Sequence, residues 1–107
     1  MKQLYMKPDA FLFPSFSTLQ SDTIYNLFLV ANVEKEINIP KNADYAIFSF
    51  TDDIWVKFNG TAEVPAADNL DGSGSELNPS SRYLFGASTI HIISGVNCAG
   101  SISFYKE

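Results

Sequence analysis

The sequence has one cysteine, one histidine and little positive charge, and no apolar stretch in it approaches the length of a membrane span. One Cys and one His cannot build a disulfide framework, a Cys/His zinc site or a two-histidine metal site. Cys98 stands between Asn97 and Ala99 with no basic neighbour to favour a thiolate, and reads as a buried, inert thiol. The longest apolar segments, 27–31 and 45–50, fall far short of the roughly 20 residues that a spanning helix takes. Lys7-Pro8 breaks the N-terminal segment before the apolar core of a secretory leader develops, so a soluble protein made in a reducing cytoplasm is expected. Seven Lys plus Arg stand against twelve Asp plus Glu, a net charge of −5, which leaves no basic field to neutralise several phosphates. Nucleic acid is therefore not an expected partner; a membrane, a small-molecule substrate and a cofactor are not expected either.

What is present is a 107-residue chain with 46% hydrophobic and 14% aromatic content, enough for one core and no second domain. Pro, Gly, Asn and Asp punctuate it at short intervals, and the segments between them are rich in Ile, Val, Phe and Tyr, the pattern of many short strands. Segment 24–33 carries apolar groups on both faces and reads as a covered strand. The alternation at 36–39 stops at Pro40, which lacks an N–H for the ladder. Segments 45–50 and 54–58, joined by Thr51-Asp52-Asp53, read as a hairpin. Asn59-Gly60 has type I′ turn chemistry and is expected to return the chain into a third strand at 61–64. Further strands are expected at 88–94 and 101–105, and no stretch sustains a helical period. The expected fold is all-β: a single-domain β-sandwich of jelly-roll type with about seven or eight short antiparallel strands, a barrel being the alternative. Residues 1–23 read as an N-terminal arm with a first short strand that contacts partners. Residues 24–107 form the sandwich, with a long surface loop at 66–82.

Candidate chemistry is thin. Asp68, Asn69, Asp71 and Glu76 gather oxygen ligands, but Leu70 falls at the third position, where a calcium loop needs a ligand, and Gly72 comes one position early, so turn formation is the better reading. Asp52 and Asp53 are strand or turn neighbours that diverge and read as turn formers. His91, in Ile90-His91-Ile92, reads as a surface or interface residue; no G-x-S-x-G elbow accompanies it, and an enzyme is not expected. Asn59-Gly60-Thr61 also matches a glycosylation acceptor but is better explained as a turn. Trp55 points outward beside Lys57 if Ile54, Val56 and Phe58 face in. With Tyr45 it would form a stacking platform for a sugar ring or an anchor for a protein; the other reading buries it between two sheets. Nine phenylalanines are many for one small core, and Phe11, Phe13 and Phe16 in the Pro-bounded arm suit burial against a neighbouring subunit.

Trp55-Val56-Lys57, Gly60-Thr61-Ala62-Glu63-Val64-Pro65, Leu77-Asn78-Pro79 with Arg82, and the closing segments Ile90-His91-Ile92-Ile93-Ser94 and Ile102-Ser103-Phe104-Tyr105 come in an order that resembles small β-rich virion proteins of tailed bacteriophages. The resemblance covers about residues 37–105 and is one of pattern. It implies a non-enzymatic virion component: a capsid decoration or cement protein bound to the major capsid protein, assembled in the host cytoplasm as a homo-oligomer. A tail, adaptor or baseplate component is the alternative, and a host-surface carbohydrate-binding module is a third reading. The partner-interface residues expected are Phe11, Phe13 and Phe16 of the arm, the outward Trp55, and Leu77, Asn78 and Arg82 in the order that carries the resemblance.

Overall fold

A computed structural model describes the backbone of residues 1–3, 6–8 and 16–107, and the side chains at 1–3 and 19–107. Its strands are β1 (Met6–Pro8), β2 (Phe16–Thr18), β3 (Thr23–Leu29), β4 (Lys35–Asn38), β5 (Tyr45–Phe50), β6 (Trp55–Phe58), β7 (Glu76–Leu77), β8 (Ser81–Tyr83), β9 (Thr89–Ile93) and β10 (Cys98–Tyr105), with no helix among the described residues. β1 and β2 pair with each other, and the other eight strands form two four-stranded antiparallel sheets, ordered β3-β10-β5-β8 and β4-β9-β6-β7. The expected all-β class is what the chain adopts, and the two four-stranded sheets together hold eight strands, against an expected seven or eight. The pairings are nested: β6 with β7, β5 with β8, β4 with β9 and β3 with β10, each bracketing the one before.

Alternation along the strands explains the two-layer build. In β3, Tyr25, Leu27 and Leu29 turn toward the core while Ile24, Asn26 and Phe28 turn out. Ala46 and Phe48 of β5 and Ile102 and Phe104 of β10 complete the inner face of that sheet. Across from them stand Ile37, Val56, Ile90 and Ile92 of the second sheet. Leu29, Ile90, Ile92, Ile102 and Phe104 are fully buried, each stabilising the fold by about 1.5–3 kcal/mol relative to exposure. The rings of Phe48 and Phe58 stack between the layers at 6.5 Å. The buried hydroxyls are satisfied: Ser21 donates to the Phe104 carbonyl (2.6 Å), and Ser94 to that of Asp53 (2.7 Å).

The expectations that fail do so on connection chemistry. Segments 45–50 and 54–58 do not form a hairpin; β5 and β6 lie in opposite sheets, each turning its apolar face to the shared core. The chain crosses between layers at residues 51–54, where Asn78 holds it. No strand forms at 61–64 and no type I′ turn at Asn59-Gly60. Asn59 does take the left-handed conformation (φ 58°), but its side-chain oxygen accepts from the N–H groups of Ser88 (2.8 Å) and Thr89 (3.2 Å), committing it to the start of β9. The expected loop at 66–82 is shorter than its span, since β7 and β8 fall inside it, and residues 59–75 form the irregular stretch instead. The strand expected over 24–33 ends at Leu29. There Asn32, at φ 61°, turns the chain and donates to the Ser94 carbonyl (2.7 Å).

At Gly100 two strands approach closely: a Cβ there would run into the Phe50 ring and the Ser49 carbonyl oxygen of β5. Backbone cannot yield as a flexible side chain can, so Gly100→Ala is expected to cost roughly 1–3 kcal/mol, read as a lower urea midpoint at unchanged m-value.

Candidate functional site

Two outer faces are left once the core is closed. On the β4-β9-β6-β7 sheet, Glu36, His91 and Lys57 form one cross-strand row, and Ile93, Trp55 and Leu77 form the next. Trp55 is therefore outside the core, half-buried by the irregular stretch that folds over the sheet. Glu34 fastens that stretch: one carboxylate oxygen accepts from the Ala62 N–H (2.9 Å), and the other lies 2.7 Å from His91 Nδ1. A carboxylate can only accept, so Nδ1 carries a proton, and Nε2 lies 3.2 Å from Thr89 Oγ1. The set Thr89, His91 and Glu34 has the connectivity of a nucleophile, base and orienting acid. Glu34 also accepts from the Ala62 N–H, which ties the set to the loop, and Thr89 and His91 line neither of the two cavities described on this chain.

The larger cavity, about 1020 Å³, is an open groove with Trp55 and Lys57 in its floor and residues 61–75 as its wall. Lys57 Nζ donates to the carbonyls of Ser73 (3.0 Å) and Gly74 (3.3 Å), holding the far side of the loop. The acidic stretch is built by turn chemistry: Asp71 Oδ1 accepts from the Ser73 hydroxyl (2.6 Å) and N–H (2.9 Å). Those two bonds hold the Asp71 carboxyl below its ordinary range. Among the described residues no group of three His, Cys, Asp or Glu side chains is placed to hold a metal ion.

The second face, on the β3-β10-β5-β8 sheet, differs in kind. The three adjoining strands β3, β10 and β5 carry no charged residue at any position. Their outward side presents Ile24, Asn26 and Phe28, then Ala99, Ser101 and Ser103, then Tyr45, Ile47 and Ser49. Tyr45, Tyr83 and Phe85 continue it as an aromatic row, with centroids 5.1 Å and 6.2 Å apart and the last two rings nearly parallel. Phe85 is 86% exposed and Phe28 57%.

Of the expected interface residues, Trp55 and Leu77 are cross-strand neighbours on one outer face, with Leu77 half exposed. Asn78 spends its amide internally, accepting from the Ile54 N–H (2.9 Å) and donating to Asp53 (2.9 Å), from a left-handed backbone at φ 48°. Arg82 forms a two-pronged ion pair with Glu76, Nε donating at 2.9 Å. Phe11 and Phe13 lie outside the described residues, as does the side chain of Phe16. Tyr45 and Trp55 do not share a platform, being on the outer faces of different sheets. Ile24, Phe28 and Phe85 are not among the expected interface residues; the signal that marks the first two is a seven-residue strand without a charge. Comparison with protein-family models, with curated proteins and with solved structures found no match.

Arg82 holds the Glu76 carboxyl below its ordinary value through their hydrogen bonds, with burial opposing. The pair's small contribution to stability is thus present above the ordinary Glu range and fades as pH falls through the lowered value. Arg82→Gln is expected to raise the Glu76 pKa, read by NMR titration, and to change overall stability by less than about 1 kcal/mol.

Proposed function

We propose that this chain is a non-enzymatic structural component of a tailed-bacteriophage particle, a capsid decoration protein that binds the major capsid protein and reinforces the shell. The observation that carries the reading is the uncharged outer face of β3, β10 and β5 on a chain of net charge −5. An exposed sheet face is ordinarily kept soluble by Lys and Glu, and one without them suits a surface covered by a partner. The nested strand pairing supports a jelly-roll reading of the sandwich, an architecture that recurs in capsid proteins and lectins. A protein that binds only the assembled shell stabilises it by mass action. The test is to locate the tagged chain in purified particles and to heat particles that lack it. Density on the shell and genome release at lower temperature are expected; density confined to the tail would move the protein to the adaptor or baseplate class, and absence from particles would overturn the reading.

A second reading, a host-surface carbohydrate-binding module, is favoured by one feature, the half-exposed Trp55 in the floor of a groove walled by Asp68, Asn69 and Asp71. A sugar would stack its apolar face on the indole and bond the polar wall. Trp55 is the only tryptophan in the chain, so its fluorescence reports this groove alone. Saturable quenching by host-surface oligosaccharides, lost on Asp71→Ala, is the result expected of a module; an unresponsive spectrum removes it.

A further inference from the structure

We infer that β3 is a homodimerisation strand, joining two copies of this chain edge to edge about a twofold axis through Asn26, so that the two β3-β10-β5-β8 sheets run on as one. The inference holds whether or not the chain belongs to a virus particle.

The open edge can be worked out from the hydrogen bonds. Ala99 is opposite Phe28 in the β3–β10 register. Its carbonyl accepts from the Thr51 N–H (2.9 Å) and its N–H donates to Thr51 Oγ1 (3.2 Å), so both polar groups face away from β3. Ala99 and Phe28 are therefore a pair without mutual bonds, and antiparallel alternation turns the N–H and C=O of Ile24, Asn26 and Phe28 to the other side of β3. β3 is the end strand of its sheet, and among the described residues no strand pairs with that side. Three donors and three acceptors thus lie in line on a strand without a charge. Natural edges of that kind are usually blunted, and the device present here is Lys35, whose ammonium donates to the Phe28 carbonyl at 2.8 Å.

A second copy is the occupant because the strand complements itself. Twofold antiparallel pairing about Asn26 sets Ile24 against Phe28 of the other copy at both ends of the contact, with the two Asn26 amides between them. On the core side the same operation sets Tyr25 against Leu27. Exposed apolar side chains then meet exposed apolar side chains, and every open backbone group among the three residues finds its complement. Charge agrees with the register: the twofold brings Asp22 of one copy, which already faces its own N-terminal ammonium at 3.6 Å, to the end of β3 where Lys35 of the other lies, adding a carboxylate for the ammonium as it leaves the Phe28 carbonyl. Elsewhere two copies of a chain of net charge −5 repel each other, whereas this strand offers nothing to repel.

Sedimentation of the full chain over a range of concentrations tests the proposal, alongside amide exchange on the unmodified protein. A monomer–dimer equilibrium is expected, and the amides of Ile24, Asn26 and Phe28 should gain protection as concentration rises. Ile24→Lys and Phe28→Glu should each weaken the dimer at least tenfold. The double variant should recover it, because positions 24 and 28 face each other only across this twofold. Asn26→Pro deletes an N–H that serves no bond within the chain's own ladder and should abolish pairing while leaving the melting temperature of the monomer near that of the parent. A wild-type chain that stays monomeric at its highest soluble concentration overturns the inference. A dimer whose exchange protection lies elsewhere, or which the single charges leave intact, overturns it equally.

Discussion

The pairing of β3 with β10, the first sandwich strand with the last, is the interaction on which the rest of the molecule depends. It brings Leu29 against Cys98 and sets Ile102 and Phe104 in the centre of the core, where they are fully buried. β10 then lies between β3 and β5, and its glycine is the point at which the two layers of constraint meet, since the Phe50 ring fills the space that any larger residue would claim. The second sheet is anchored in the same way by β9, whose Ile90 and Ile92 face that core. Both sheets thus hang on strands from the last third of the chain.

Much of this was legible in the sequence, and what was not follows from one physical limit. Alternation names the faces of a strand, so Val56 and Phe58 were read as inward, and Trp55 as outward unless sealed between sheets. Alternation does not name the neighbour across the ladder. The Thr51-Asp52-Asp53 connection looks like a hairpin turn locally, yet it crosses between layers because Asn78, distant in sequence, bonds the Ile54 N–H and the Asp53 carboxylate. Asn59 kept its intrinsic left-handed preference and lost the turn to the same kind of long-range bond. Side-chain amides were read as turn formers; their reach to remote backbone is what single-sequence reasoning cannot supply.

The candidate surfaces divide along the same line. Trp55 and Leu77 could be found by residue type, being large and apolar at outward positions. Arg82 and Asn78 were marked by the family-like order in which they occur, and the fold spends both on internal bonds. Ile24 and Phe28 were assigned to a strand covered on both sides, since nothing local tells a buried second face from an exposed one. Only the sheet order, which leaves β3 at the end, gives those residues a different meaning.

The nested pairing also bears on how the chain folds. Closing β6 on β7 shortens the loop that β5 and β8 must close, and each later pair inherits a loop already drawn in by the one before, so the entropic cost of each long connection is divided into steps. The outermost pair, β3 with β10, spans the longest loop, and pairings at that sequence separation are the ones that slow folding. As the end strand of its sheet, a β3 that detached would carry Tyr25, Leu27 and Leu29 out with it, and the vacated lane beside β10 would accept the same strand from another chain.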